Sequence, residues 1–339
     1  MSRAGRIEDL RALMERRGLG AVLLRRPANF AWFTGGADNR VDHADQAGVA
    51  GILLTREAEY VLTDNIEAPR MRAEQTPGME IAEHPWHTGP EALLKELVGE
   101  GPVGTDVPSE TGPDLSAEIP PLRYVLDDEA IGRYRRLGAD AVAAVSEAAS
   151  FLSPETDELD AAAELAAACR RRGMFAPVLL ASSEGRLGSY RHPIPKGGPL
   201  GARAMLVVCA ERGGLYANLT RIVPFEVPDP ETARRQTACE EILRRMRDEA
   251  TRPGATLAAA FALCQTFYAD AGFPEGWRDH HQGGTTGYAS RETIATPEAH
   301  QEIKTNQAFA WNPSLPGTKA EETFVLLSED TEVLTQTTK

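Results

Sequence analysis

Asp279-His280-His281-Gln282-Gly283-Gly284-Thr285-Thr286-Gly287-Tyr288-Ala289-Ser290-Arg291-Glu292 is the stretch around which the chain is organised. Two adjacent histidines, a glycine pair, hydroxyls and an Arg-Glu couple make a poor helix and a poor apolar strand, which points to a site. Glycine lets backbone approach a ligand closely, and imidazole exchanges protons near neutral pH. A plain polar surface turn fits the same residues. The company of three further segments favours a site: Ser189-Tyr190-Arg191-His192-Pro193, Gly214-Leu215-Tyr216-Ala217-Asn218-Leu219-Thr220-Arg221, and Asn312-Pro313-Ser314-Leu315-Pro316-Gly317-Thr318-Lys319-Ala320-Glu321-Glu322-Thr323.

A chain of 339 residues can bury a large core and predicts about two domains. Its 36 basic against 50 acidic residues leave a net charge of -14, with a pI near 5.1. That field argues against nucleic acid or an anionic membrane as partner. Met1-Ser2-Arg3-Ala4-Gly5-Arg6 runs into amphipathic sequence with no apolar leader, and no later apolar run reaches a membrane span, so a cytoplasmic protein is expected. Cys169, Cys209, Cys239 and Cys264 lie in apolar patterns without C-x-x-C spacing and read as buried free thiols.

Along the chain, Ile7, Leu10, Leu13 and Met14 mark a first helix ended by Gly18 and Gly20. A strand follows at Ala21 to Leu24, then Arg26-Pro27-Ala28-Asn29-Phe30-Ala31-Trp32-Phe33-Thr34-Gly35-Gly36 as a turn, an aromatic segment and a glycine loop. Val49 to Leu54 and Tyr60 to Thr63 predict a hairpin. Helices at Ile66 to Glu74 and Glu91 to Leu97 alternate with strands at Met79 to Ile81 and Val103 to Thr105. From Asp128 the pattern changes to a long alanine-rich helix reaching Leu152 and a second, capped by Thr156 or Asp157, reaching Arg172. Strands follow at Pro177 to Ala181, Ala204 to Cys209 and Tyr216 to Phe225, helices at Glu231 to Ala250 and Leu257 to Ala271, and strands at Ala308 to Trp311, Thr323 to Leu327 and Val333 to Thr335.

This order of elements, with the His192-Pro193 step, Gly214 to Arg221, the His281 glycine loop and Gly317 to Thr323, resembles the pita-bread family of aminopeptidase P, prolidase, methionine aminopeptidase and creatinase. The resemblance implies an α+β fold of two domains. Residues 1–127 would form an N-terminal α/β creatinase-type domain, and 128–339 a pita-bread domain whose curved, mainly antiparallel sheet is covered by helices. It also implies a homodimer, for which the run Phe30-Ala31-Trp32-Phe33 offers apolar area, although the same rings would equally fill the N-terminal core.

Metallopeptidases of that family hold two metal ions on two Asp, one His and two Glu, which activate a bridging water. Carried over, the first Asp falls among Val207, Val208 and Cys209, the second on Asn218, the His on His281, the first Glu on Asn312 and the last on Glu321. Only His281 and Glu321 keep ligand character, so no paired-metal site and no cofactor are expected. Creatinase, which works without metal through a proton-shuttling histidine, has that histidine where His192 stands. Tyr288 stands where the family has a second histidine, and Lys319 where it often has arginine.

Two function classes follow. In one, the protein is a metal-independent hydrolase of a C–N bond in a small peptide-like, guanidino or amidine substrate. His192, His281 and Glu321 are then catalytic, while Asn218, Arg221, Tyr288, Arg291, Asn312 and Lys319 bind substrate. In the other it is a pseudo-peptidase binding a small molecule or short peptide without turnover. Arg291 and Glu292 read equally well as a solvated pair, and Tyr288 as a core tyrosine.

Overall fold

A computed structural model describes residues 2–108, 112–328 and 330–336 and divides the chain into two compact units, Met1–Glu129 and Ala130–Lys339. In the first, helix α1 (Arg3–Arg17) starts on the Ser2 hydroxyl, which accepts from the Gly5 amide, and stops at Gly18 in the left-handed conformation. Its buried stripe is Leu10, Leu13 and Met14. After it come β1 (Ala21–Leu24), α2 (Pro27–Thr34), β2 (Ala50–Thr55), β3 (Glu59–Asp64), α3 (Ala68–Arg70, continued by a π turn Met71–Gln75), β4 (Ile81–His84), α4 (Glu91–Val98), β5 (Val103–Thr105) and α5 (Pro120–Arg123). The sheet order is β4-β3-β2-β1-β5, with β1–β2 and β2–β3 antiparallel and β1–β5 and β3–β4 parallel.

The aromatic segment is helix α2, which begins at Pro27 within the expected turn. Its entry is anchored from far along the chain: the buried Asp106 carboxylate accepts from the Arg25 and Arg26 amides at 2.8 and 3.0 Å and from Asn29 Nδ2 at 2.7 Å. Phe30, Trp32 and Phe33 are all buried, so they fill a core and offer no apolar area to a partner.

The second unit is built from α6 (Asp128–Ser150), α7 (Glu158–Arg171), β6 (Phe175–Ser183), α8 (Glu184–Leu187), β7 (Arg203–Arg212), β8 (Leu215–Pro224), α9 (Pro230–Arg245, with a π turn Met246–Ala250) and α10 (Leu257–Asp270). Short strands complete it: β9 (Gly283–Thr286), β10 (Thr293–Ile294), β11 (Ala308–Trp311), β12 (Ser314–Leu315), β13 (Thr318–Lys319), β14 (Glu322–Leu326) and β15 (Thr331–Val333). Every described strand pair here is antiparallel, in sheets β6-β7-β8, β10-β9-β11-β14-β15 and β12-β13. The Thr220–Glu321 bridge and the Tyr216 N–H to Gly287 carbonyl bond tie β8 to the five-stranded sheet. Helices α9 and α10 pack on that sheet through Cys239, Ile242, Met246, Phe261 and Phe267 against Phe309, Trp311 and Phe324. No described helix is long and apolar enough to cross a membrane. The four cysteines are buried and free.

The largest departure from the sequence reading is β9. The stretch that reads as a poor strand is a fully buried central one, between β10 and β11. Glycine is what permits it: a Cβ on Gly283 would stand 2.1 Å from the Ala310 carbonyl, and its φ of 100° disfavours any side chain. Strands β4 and β15 also sit about two residues from where alternation places them. Gly283→Ala should therefore lower the unfolding free energy by more than about 1 kcal/mol, read as a lower urea midpoint. An unchanged midpoint would contradict the close approach of β9 and β11.

Candidate active site

The β7–β8 hairpin and the ends of β9, β11 and β13 carry the polar residues. Register pairs Val207 with Thr220 and Cys209 with Asn218. Val207, Val208 and Cys209 are buried, and burial pushes the Cys209 thiol up to about 12, so it is neither thiolate nucleophile nor ready ligand. Asn218 Nδ2 donates to Thr286 Oγ1 at 3.1 Å. Asn218 Oδ1, Asn312 Oδ1 and Thr285 Oγ1 are buried acceptors with no donor among the described residues. Each costs about 1–3 kcal/mol unless a ligand supplies a hydrogen.

Glu321 stands at the entry to β14 with its side chain fully enclosed. Oε2 accepts from Lys319 Nζ at 2.8 Å and Thr220 Oγ1 at 2.8 Å, and Oε1 from Arg291 Nη2 at 2.8 Å. Arg291 is thus no solvated partner of Glu292; it is paired inside the protein. Burial alone would raise the Glu321 pKa, but Lys319 and Arg291 win and hold it at about 2.

Three histidines gather beside this group. His192 lies in the loop from α8 to β7, and that loop is pinned by Glu158, fully buried at the start of α7. Glu158 accepts from the Ser183 amide at 2.7 Å and the Lys196 amide at 3.1 Å and pairs with Arg186. His280 and His281 follow a short 3₁₀ turn, Gly276–Asp279. His280 Nδ1 meets the His281 carbonyl, which only accepts, so Nδ1 carries the hydrogen and the Nε2 of a neutral His280 is bare. His192 Nε2 lies 2.9 Å from it and must be the donor, leaving a lone pair on His192 Nδ1. Burial, with Arg291 and Lys319 nearby, lowers His281 to about 4; burial, with His281 and Lys319, lowers His280 to about 3; His192 is lowered by burial and Lys319. All three are neutral at pH 7. Ring nitrogens of the three lie within 4.8 Å of one another, the one group of described residues with metal-ligand spacing.

His192, His281, Glu321, Lys319 and Arg291 are therefore neighbours. Two other expected substrate-binding residues have structural partners instead. The buried Tyr288 hydroxyl accepts from Arg133 Nη2 at 2.8 Å, and Arg221 Nη1 donates to Ser146 Oγ at 2.9 Å. Arg221 also lines, with Arg203, Lys319 and Glu321, a cavity of about 550 Å³ whose wall contains no histidine. Sequence matching keeps one member of the doublet and passes over His280; the contact with His192, 88 residues away, is what brings it in.

Residues 132–336 match the model of metallopeptidase family M24, and residues 6–115 that of the creatinase/prolidase N-terminal domain. The chain belongs to metallopeptidase family M24. The fold of this M24 chain matches the prolidase of Pyrococcus horikoshii OT3 with a TM-score of 0.82 at 16% identity, covering 98% of each chain. An Xaa-Pro dipeptidase from Bacillus anthracis matches with a TM-score of 0.79 at 18% identity, over 100% of this chain and 99% of that one. The N-terminal domain of FACT complex subunit SPT16 from chickpea, Cicer arietinum, matches with a TM-score of 0.74 at 12% identity, over 99% and 96%. At such identities the likeness establishes the fold alone. No curated protein matches with significance.

The ionised Glu321 contributes stability fully above the ordinary carboxyl value of 4.5 and loses it as pH falls toward about 2, because the folded value lies below the unfolded one. Glu321→Gln in this M24 chain strands Lys319 and Arg291 as buried cations and should cost roughly 3–5 kcal/mol. Denaturant titrations of both proteins from pH 7 to 2 check this, with the stability gap expected to narrow below pH 4.5.

Proposed function

We propose that this peptidase-like M24 protein hydrolyses a C–N bond in a small peptide-like, guanidino or amidine substrate, without the paired metal ions of its family's peptidases. The observation that carries this reading is the Glu321 carboxylate, whose two oxygens are already held by Lys319 and Arg291. With apolar or thiol side chains at 207–209 and amides at 218 and 312, the donors do not fit two divalent cations, which need several carboxylates. Lys319 and Arg291 supply the positive charge instead.

In the reaction proposed, water attacks the substrate carbon and gives a proton to the free lone pair of His192 Nδ1. The C–N bond then breaks, and His192 returns that proton to the leaving nitrogen. The lowered pKa of His192 suits a base at neutral pH, and His281 lines the same space in neutral form. The buried oxygens of Asn218 and Asn312, without a donor among the described residues, favour a substrate rich in N–H groups. The neutral Cys209 thiol supports the competing reading, a binder without turnover, because no alternative nucleophile replaces the metal-activated water.

Guanidino compounds, X-Pro dipeptides and cyclic amidines, screened by mass spectrometry and calorimetry, separate the two readings. The hydrolase requires product whose rate drops by about 10² or more in His192→Ala, with circular dichroism unchanged. Asn218→Ala should raise KM more than it lowers kcat. Saturable binding with no product on long incubation would establish the binder and sink the hydrolase.

A further inference from the structure

We infer that His192, His280 and His281 form a site for a single borderline divalent cation of the zinc, cobalt and nickel class, sharing only His281 with the ligand positions carried over from the family's two-metal centre. Three ring nitrogens within 4.8 Å of one another can converge on one ion, and imidazole is a preferred ligand for these metals. In a tetrahedral site with metal–nitrogen bonds of 2.0–2.1 Å, ligand nitrogens stand about 3.4 Å apart. His192 Nε2 and His280 Nε2, at 2.9 Å, need to separate by only about half an ångström to reach that spacing.

A second observation points the same way. His280 Nδ1–H is fixed on the His281 carbonyl, so its bare Nε2 is turned toward His192. A metal-bound histidine is commonly oriented by such a bond from its other nitrogen. On loading, the hydrogen on His192 Nε2 shifts to Nδ1 and the ion takes its place between the two rings. No net proton is lost, and three protein ligands leave a fourth position for water or a carbonyl oxygen.

The surrounding charges do not do this work. Lys319 and Arg291 against Glu321 leave one net positive charge nearby, so the ion is held by nitrogen donation and not by the field. A hard cation such as magnesium or calcium, which needs oxygen ligands, should not bind. The inference does not rest on turnover: loading puts the hydrogen on His192 Nδ1, so the loaded form of a hydrolase is held inactive, whereas a binder carries the ion without loss.

The test uses the full chain, stripped with chelator and dialysed, titrated with zinc by calorimetry and with cobalt by visible absorption. One equivalent should bind, with the cobalt spectrum of a four-coordinate ion, and magnesium should give no heat. His280→Ala and, separately, the more exposed His192→Ala should each weaken zinc at least about 100-fold, more than loss of an orienting partner does. Glu321→Asp and His84→Ala should leave affinity unchanged. The site is overturned by absence of saturable binding. It is also overturned by affinity retained in the folded His192→Ala variant, or by affinity lost in Glu321→Asp but kept in both histidine variants, which would place the ion at the family position.

Discussion

The enclosed carboxylate of Glu321, held between Lys319 and Arg291, is the constraint on which the site depends. A buried charge is costly unless opposite charge and hydrogen bonds meet it. Here three donors meet both oxygens at 2.8 Å, from three separate segments: β8 through Thr220, β13 through Lys319, and the chain beyond β9 through Arg291. The carboxylate thereby joins three parts of the second unit. A pair of metal ions at such a position would be released on chelation, whereas these counter-charges are covalently part of the chain.

That arrangement shapes what surrounds it. The cations depress the neighbouring imidazoles, reinforcing what burial already does, so three histidines within reach of one another stay neutral. Neutral rings can accept a hydrogen bond from one another, and the His192–His280 pair does so. Holding the pair falls to a residue remote from the chemistry: Glu158, whose two oxygens tie Ser183 and Arg186 to Lys196, fastens the loop that carries His192 on either side of it. It is legible only in three dimensions, because in sequence it looks like an ordinary acidic residue in a helix's first turn.

Elements with strong local signals could be read directly. The amphipathic stripe of α1, the alanine-rich α6 and the β2–β3 hairpin follow from periodicity and turn residues, and motif order alone pointed to two domains of the α+β class. What escaped was set by distant partners. The entry to helix α2 is held by Asp106, some 80 residues on, through the Arg25 and Arg26 amides, so its own flank showed no side-chain cap. Strand β9 has no apolar alternation because its neighbours pack against bare glycine backbone, and packing of that kind leaves no hydrophobic trace. The site showed the same division. His192, His281 and Glu321 stood out by motif, but the pairing of Arg291 with Glu321, the attachment of Tyr288 to Arg133, and the entry of His280 are facts of side-chain geometry.

The spread of proteins sharing this architecture, from prolidases to a domain of a FACT complex subunit, shows that the fold does not dictate what is done on it. In this chain amides occupy 218 and 312, and the cations Lys319 and Arg291 close on the Glu321 carboxylate. A pocket rich in carboxylates favours hard cations; one with donorless amide and hydroxyl oxygens favours a neutral or weakly cationic group with several N–H bonds. The oxygens of Asn218 and Asn312, unpaired among the described residues, retain their desolvation cost in the free protein. A ligand that reached them with N–H groups would recover that energy, while an isostere lacking those hydrogens would not.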